Sequence, residues 1–168
     1  VELGEPDVSP LSLQGPKAAK VMEKILGTWI MDLKFFYFKR TTIIDIPVLV
    51  ARSGWSGEIG YEIYLMDSSK GNDLWEYIMK EGKEFNIAPA APNQISRIEN
   101  GMLSYGSDMT LEETPYDINM GKFVHLEKNA DFLAKSALTK IFNEGPSKEL
   151  VGIEISDNIQ SNYDPDHK

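Results

Sequence analysis

Hydrophobic and polar residues alternate with period two in some stretches and recur with helical spacing in others, a pattern typical of a mixed α and β domain. In the stretch after Gly60, for example, Tyr61, Ile63 and Leu65 alternate with more polar neighbours. Pro47 indicates an edge strand or a bulge where it falls. The period-two pattern predicts strands over Val8 to Leu13, Phe35 to Lys39, Ile43 to Arg52, Tyr61 to Met66 and Glu149 to Ile155.

Helical spacing predicts four helices. The first follows Gly15-Pro16 and ends at Gly27. For the second, which runs to about Glu84, Ser68 and Ser69 are the predicted N-cap residues. A fourth is predicted over Phe132 to Phe142, after an irregular segment from Thr114 to Val124. The apolar positions expected to face the core in the first two helices are Val21, Met22, Ile25 and Leu26, then Leu74, Trp75, Ile78 and Met79.

The third predicted helix opens at Pro92. Ile95, Ile98 and Met102 form its expected buried stripe. Arg97 lies off this stripe and is expected to meet a polar group or solvent.

Composition narrows the function classes. The 168 residues have a formal net charge of -9 and no cysteine. The acidic balance argues against nonspecific nucleic-acid binding, and the absence of cysteine rules out disulfides and thiolate metal sites. Two histidines far apart do not predict a zinc site. Without an apolar run long enough for a membrane span or a signal-peptide pattern, a cytoplasmic location is expected.

Three glycines, Gly54, Gly57 and Gly60, form a turn that leads into a strand. The spacing is G-x-x-G-x-x-G, and no helix follows whose N-terminus could hold a phosphate. A dinucleotide site is therefore not expected. As a structural turn, the glycines would allow positive φ and a tight reversal.

Three side chains have both an ordinary and a functional interpretation. An acid such as Glu62 is common on the outer face of a strand, but a carboxylate can also bind a pterin edge through two parallel hydrogen bonds. Trp55 fits a core position or a ligand site. Arg97 fits a solvated helix surface or a polar site. The pattern alone leaves these alternatives open.

Several motifs occur in the order found in one family. They are Leu13-Gln14-Gly15-Pro16-Lys17-Ala18, Ala51 to Glu62, Arg97 to Gly106, Pro115 to Gly121 and Ala134 to Leu138. From Pro6 to Ile155 the chain resembles the glycine cleavage T-protein (aminomethyltransferase) family. Glu5 to Pro10, Pro92-Asn93 and Leu103-Ser104-Tyr105-Gly106 resemble its dimethylsulfoniopropionate demethylase branch, whereas Ser56-Gly57-Glu58 is more similar to the aminomethyltransferases.

The resemblance implies an α+β, ferredoxin-like folate-binding domain with the start of the family's C-terminal barrel region. It implies a tetrahydrofolate-dependent one-carbon transferase, with folate and a small one-carbon donor or a lipoyl carrier protein as partners. Glu62 matches the acid that holds the pterin, Trp55 an aromatic position in the site and Arg97 the arginine near the folate. Trp55 departs from the tyrosine of the aminomethyltransferases and lacks its phenolic hydroxyl.

The resemblance also implies where the domains of this chain begin and end. Residues 1–124 would form an N-terminally truncated folate-binding region, residues 125–156 a connection toward the C-terminal domain, and residues 157–168 a disordered tail. The family's catalytic aspartate would lie before Val1, so the catalytic residue is unknown and this fragment alone is expected to be inactive. A noncatalytic folate-binding or interaction module is the alternative from a different class.

Overall fold

The computed structural model describes residues 8–154, and it divides into two compact units at Met102 and Leu103. Unit 1 contains a four-stranded antiparallel sheet with the strand order β1-β4-β3-β2. The α+β class is therefore confirmed. The predicted boundaries at residues 124 and 156 stay predictions. The strands of the sheet are β1 (Ser9–Gln14), β2 (Phe38–Ile43), β3 (Ile46–Ala51) and β4 (Gly60–Leu65).

One face of the sheet packs on helices α1 (Ala18–Leu26) and α2 (Gly71–Gly82). Strand β4 supplies the centre of this core because its alternate side chains point to opposite faces. The opposite face of β4 presents Glu62 and Tyr64, and Ser12 of β1 is paired with Glu62. The buried core residues with the least exposure are Tyr61, Ile63, Val50, Met22, Ile30, Leu74 and Ile78.

The hairpin between β2 and β3 differs from the prediction. Strands were predicted over Phe35 to Lys39 and Ile43 to Arg52, but a two-residue turn at Ile44 and Asp45 separates the observed strands. Both turn residues have positive φ, 46° and 65°, as a primed hairpin turn requires. Such turns usually contain Asn-Gly. Because Ile44 is β-branched and typical of strands, the sequence pattern did not predict a turn here.

Pro47 was expected to mark an edge strand or a bulge. That expectation is wrong, because β3 pairs continuously with β2 and also lies beside β4. Pairing with β4 begins one residue later, at Val48 opposite Leu65. The missing N–H of Pro47 therefore falls just outside the ladder with β4.

Helices α1 and α2 confirm the predicted amphipathic pattern except at Trp75, which was expected to face the core but is 40% exposed, and the helix ends also differ. A 3₁₀ turn, Ser68–Lys70, precedes α2, and the side chain of Asp67 caps it by accepting from the backbone N–H of Ser69. The cap is thus Asp67, not the two serines. A second 3₁₀ turn, Lys83–Phe85, extends α2 to about the predicted end.

Helix α3 (Gln94–Glu99) forms where predicted, but the face that it buries is not the predicted apolar one. Ile95 and Ile98 are 68% and 61% exposed, whereas Arg97 is only 5% exposed. The expected apolar stripe is therefore wrong. The side chain of Asn93 caps the helix by accepting from the backbone N–H groups of Ile95 and Ser96. A helix of six residues buries one narrow face, and the hydrogen bonds of Arg97 fix which face that is.

Unit 2 is mostly irregular and contains helix α4 (Lys135–Glu144), which confirms the predicted helix with a shift of a few residues. The segment after Thr114 is irregular as predicted, with a 3₁₀ turn at Gly121–Phe123. No strand forms over Glu149 to Glu154, so that prediction is wrong for the part that is described; Leu150 instead exchanges hydrogen bonds with the loop at Asp117 and Asn119. Ile155, the predicted tail and the Glu5-Pro6-Asp7 motif lie outside the described residues.

Between residues 8 and 154, no helix has the length and apolar character needed to cross a bilayer.

Candidate functional site

A groove of about 650 Å³ runs along edge strand β1 in unit 1. Residues 11–14 of β1 and the start of α1 line it. The groove is also lined by Trp55, Ser56, Glu58, Glu62, Trp75, Met79 and residues 85–93. A volume of this size suits a small organic ligand.

The glycine-spaced turn is built around the side chain of Gln14. The Gln14 amide nitrogen donates to the carbonyl of Ser53 at 3.2 Å, and the Ser56 hydroxyl donates to the Gln14 amide oxygen at 2.7 Å. A Cβ atom at either Gly54 or Gly60 would overlap this amide. The two glycines are therefore needed for close approach, which attaches the turn to β1.

Gly57 has a different role in the same turn. Its φ of 75° lies in the left-handed region, and a Cβ there would also overlap the Asn100 amide, which follows α3. The left-handed conformation favours glycine at this position, and the Asn100 amide would have to move to admit a side chain. The expected positive φ is thus confirmed at Gly57, whereas Gly54 and Gly60 do not have it.

The Glu62 carboxylate lies on the wall of the groove, on the sheet face opposite the core. The Ser53 hydroxyl donates to Glu62 Oε2 at 2.5 Å, and the Tyr64 hydroxyl donates to the same oxygen at 3.4 Å. Within residues 8–154, no hydrogen bond to Glu62 Oε1 occurs. One oxygen is thus held by the protein, and the other is available to a ligand.

Tyr64 is suited to its role as a donor. Burial, together with the negative charge of Glu62, raises the pKa of the Tyr64 phenol. The phenol therefore stays protonated at neutral pH and can donate to Glu62.

The side chains of Trp55 and Arg97 are in contact. The Arg97 guanidinium carbon lies 5.7 Å from the centre of the Trp55 ring, within the range of a cation–π contact. Arg97 Nε donates to Gln94 Oε1 at 2.6 Å, and Nη1 donates to the carbonyl of Met102 at 3.1 Å. Trp55 is 38% exposed and lines the groove, whereas Arg97 is buried and does not line it.

The structure thus places all three predicted residues near one another in unit 1, but in different positions. Glu62 and Trp55 face the groove, and Arg97 supports Trp55 from behind. The sequence reasoning missed Gln14, Ser53 and Tyr64 as structural partners of the site. Gln14 and Ser53 lie inside the motifs that carried the family resemblance, and Tyr64 is two residues from Glu62 on the same strand and so shares its face.

Comparison with known proteins agrees with this architecture. Residues 1–128 match the family model described as the GCVT N-terminal domain. The chain is 41% identical over 159 residues to dimethylsulfoniopropionate demethylase DmdA from Ruegeria pomeroyi, an alignment that covers 95% of this chain and 43% of that protein. It is 39% identical over 155 residues to an aminomethyltransferase from Thermoanaerobacter pseudethanolicus, covering 90% of this chain and 42% of the relative.

The chain belongs to the GCVT N-terminal domain family. The solved structure of the glycine cleavage system aminomethyltransferase T from Bartonella henselae superposes with a TM-score of 0.64 at 25% identity, and the match covers 82% of this chain and 37% of that one. The sequence therefore spans less than half the length of the curated relatives it matches.

Proposed function

We propose that this chain forms part of a tetrahydrofolate-dependent one-carbon transferase of the aminomethyltransferase type, and that its groove holds the pterin. Unit 1 would then be the ferredoxin-like folate-binding region, and the segment after Val124 would lead toward the C-terminal barrel. Both descriptions come from the family resemblance. A cytoplasmic location remains part of the same proposal.

The observation that best supports this function is the geometry of Glu62. A carboxylate with one oxygen held by Ser53 and Tyr64 and the other without a hydrogen bond among the described residues can accept from the amine and ring N–H groups of a pterin. Trp55 offers an aromatic face in the same groove. The residues present therefore fit a pterin.

Arg97 has a supporting role in this proposal. Its guanidinium is hydrogen-bonded to Gln94 and Met102 and lies over Trp55, so it orients the tryptophan that would face the ligand. The family resemblance implied an arginine near the folate, and we propose that Arg97 acts there through Trp55.

Tetrahydrofolate, when bound, supplies the nitrogen that accepts the one-carbon unit. The contribution of these residues is to bind and orient it and to exclude water from the carboxylate, since alignment and electrostatics account for most of the catalysis in such displacements.

Two candidate activities differ in the molecule that donates the one-carbon group. An aminomethyl group on the lipoyl arm of a carrier protein is the first, as in the aminomethyltransferase relatives. A sulfonium methyl group is the second, and it is supported by the 41% identity to a dimethylsulfoniopropionate demethylase.

Activity assays of the complete protein with each donor would separate the candidates. Formation of methyltetrahydrofolate from dimethylsulfoniopropionate would support the demethylase, and tetrahydrofolate-dependent ammonia release from an aminomethylated lipoyl carrier would support the aminomethyltransferase. Folate binding without turnover of either donor would instead support a noncatalytic module. Absence of folate binding by the complete protein would reject the proposal.

A further inference from the structure

Ser53 is the second residue after the end of β3, in the segment that connects this strand to the glycine-spaced turn. Ala51, two residues earlier, is paired with Glu62 across the sheet, so Ser53 lies just beyond the position opposite Glu62. Its carbonyl accepts the hydrogen bond from Gln14. The backbone at Ser53 is therefore attached to β1 at the same point where its side chain reaches β4.

The Ser53 hydroxyl makes the shortest hydrogen bond to Glu62, 2.5 Å against 3.4 Å for Tyr64. Hydrogen bonds to an ionised carboxylate are stronger than those between neutral groups. A glutamate side chain has several rotamers, and a ligand that selects one of them loses affinity through the ordering of that side chain. A hydroxyl that already holds one oxygen reduces this loss.

We propose that Ser53 is a positioning residue that orients the Glu62 carboxylate for ligand binding. The inference rests on the proposed folate site. Ser53 itself does not line the groove, and it acts through Glu62. The hydroxyl holds Oε2 so that Oε1 faces the ligand.

The test measures the dissociation constant of tetrahydrofolate by calorimetry in the complete protein. Ser53→Ala is expected to raise it about three- to tenfold, the range of one hydrogen bond. Ser53→Thr, which keeps the hydroxyl, is expected to stay within about twofold of the wild-type protein. Ser9→Ala is the matched control because Ser9 is an exposed serine of β1 outside the groove.

A double-mutant cycle separates positioning from a merely structural role. If Ser53 acts through Glu62, Ser53→Ala should change the dissociation constant in the wild-type background and not in the Glu62→Ala background, where no side-chain acceptor for the hydroxyl is left. An equal effect in both backgrounds would overturn the inference. If Ser53→Ala does not fold, Ser53→Cys, with a weak donor of similar size, takes its place and is expected to weaken binding as well.

The experiments distinguish failure of the proposed folate site from failure of the positioning role of Ser53. A wild-type protein that does not bind tetrahydrofolate overturns both the folate site and the positioning role. A wild-type protein that binds, with Glu62→Gln weakened and Ser53→Ala unchanged, overturns the positioning role alone.

Discussion

The guanidinium of Arg97 lies over the ring of Trp55, with 5.7 Å between the guanidinium carbon and the ring centre. This contact joins α3 to the glycine-spaced turn within unit 1. The hydrogen bonds from Arg97 to Gln94 and Met102 fix the guanidinium in that position. The groove wall at Trp55 thus depends on a residue that does not itself line the groove.

Replacing Arg97 should therefore affect stability as well as binding. Arg97→Met places an uncharged side chain in this buried position and removes the donors to Gln94 and Met102, and we expect the free energy of unfolding to fall by about 1 to 3 kcal/mol. Arg97→Lys should recover only part of this, because an ammonium lacks the planar fork of donors. Urea unfolding measures the change. Arg40→Met on β2, an exposed arginine, is the control and should be close to neutral.

Glu62 is the direct test of the pterin site. In the complete protein, Glu62→Gln is expected to weaken tetrahydrofolate binding by about 1 to 3 kcal/mol while leaving the fold intact, because it replaces a charged acceptor with a neutral amide. Glu76→Gln makes the same change of charge at an exposed position of α2 and should not alter the affinity. An unchanged dissociation constant for Glu62→Gln would remove this residue from the site.

Gly60 should be intolerant of a side chain because of Gln14. A Cβ atom at Gly60 would overlap the Gln14 amide, so Gly60→Ala is expected to lower the free energy of unfolding by about 1 to 3 kcal/mol. In the double variant Gln14→Ala/Gly60→Ala the overlap is gone, and the loss should be smaller than the sum of the two single losses. Additive losses would mean that the two residues are not coupled.

The orientation of α3 can be tested with two isoleucines. Ile78→Ala in α2 removes a side chain that is 2% exposed and should cost about 2 to 5 kcal/mol of unfolding free energy. Ile98→Ala in α3 makes the same change at 61% exposure and should cost no more than about 0.5 kcal/mol. Equal costs would show that Ile98 is buried, as the sequence pattern first indicated.

Unit 2 should show a pH dependence from one ion pair. The Lys148 ammonium, which donates to Glu113 at 2.5 Å, together with hydrogen bonds from Thr110, lowers the pKa of Glu113 to about 2. A carboxylate with a lowered pKa in the folded state adds stability above its unfolded pKa of about 4.3, and this stability is lost as pH falls toward 2.

Thermal unfolding between pH 6 and pH 2 measures this effect. The midpoint should fall across that window, and Lys148→Met should make the fall smaller. Lys140→Met in α4 of the same unit removes the same charge at an exposed position and is the control. Identical pH profiles for the Lys148 variant and the unmodified chain would show that the pair does not contribute.

Much of the fold follows from the sequence, because strand and helix periods are local. Strands β1 and β4 and helices α1 and α2 follow from the spacing of their apolar residues. The turn at Ile44 and Asp45 did not, since its residues lack the usual turn chemistry.

The sequence by itself determined the family, the α+β class and the three residues to consider, Glu62, Trp55 and Arg97, because these depend on residue types and their order along the chain. Only the tertiary structure decided which of them faces the groove. Strand pairing brings Ser53 against Glu62, and the partly buried amide of Gln14 reaches the turn from 39 residues away along the chain. Arg97 is buried, and the apolar residues of α3 are exposed, because its hydrogen bonds set the rotation of a helix too short for its hydrophobic pattern to do so.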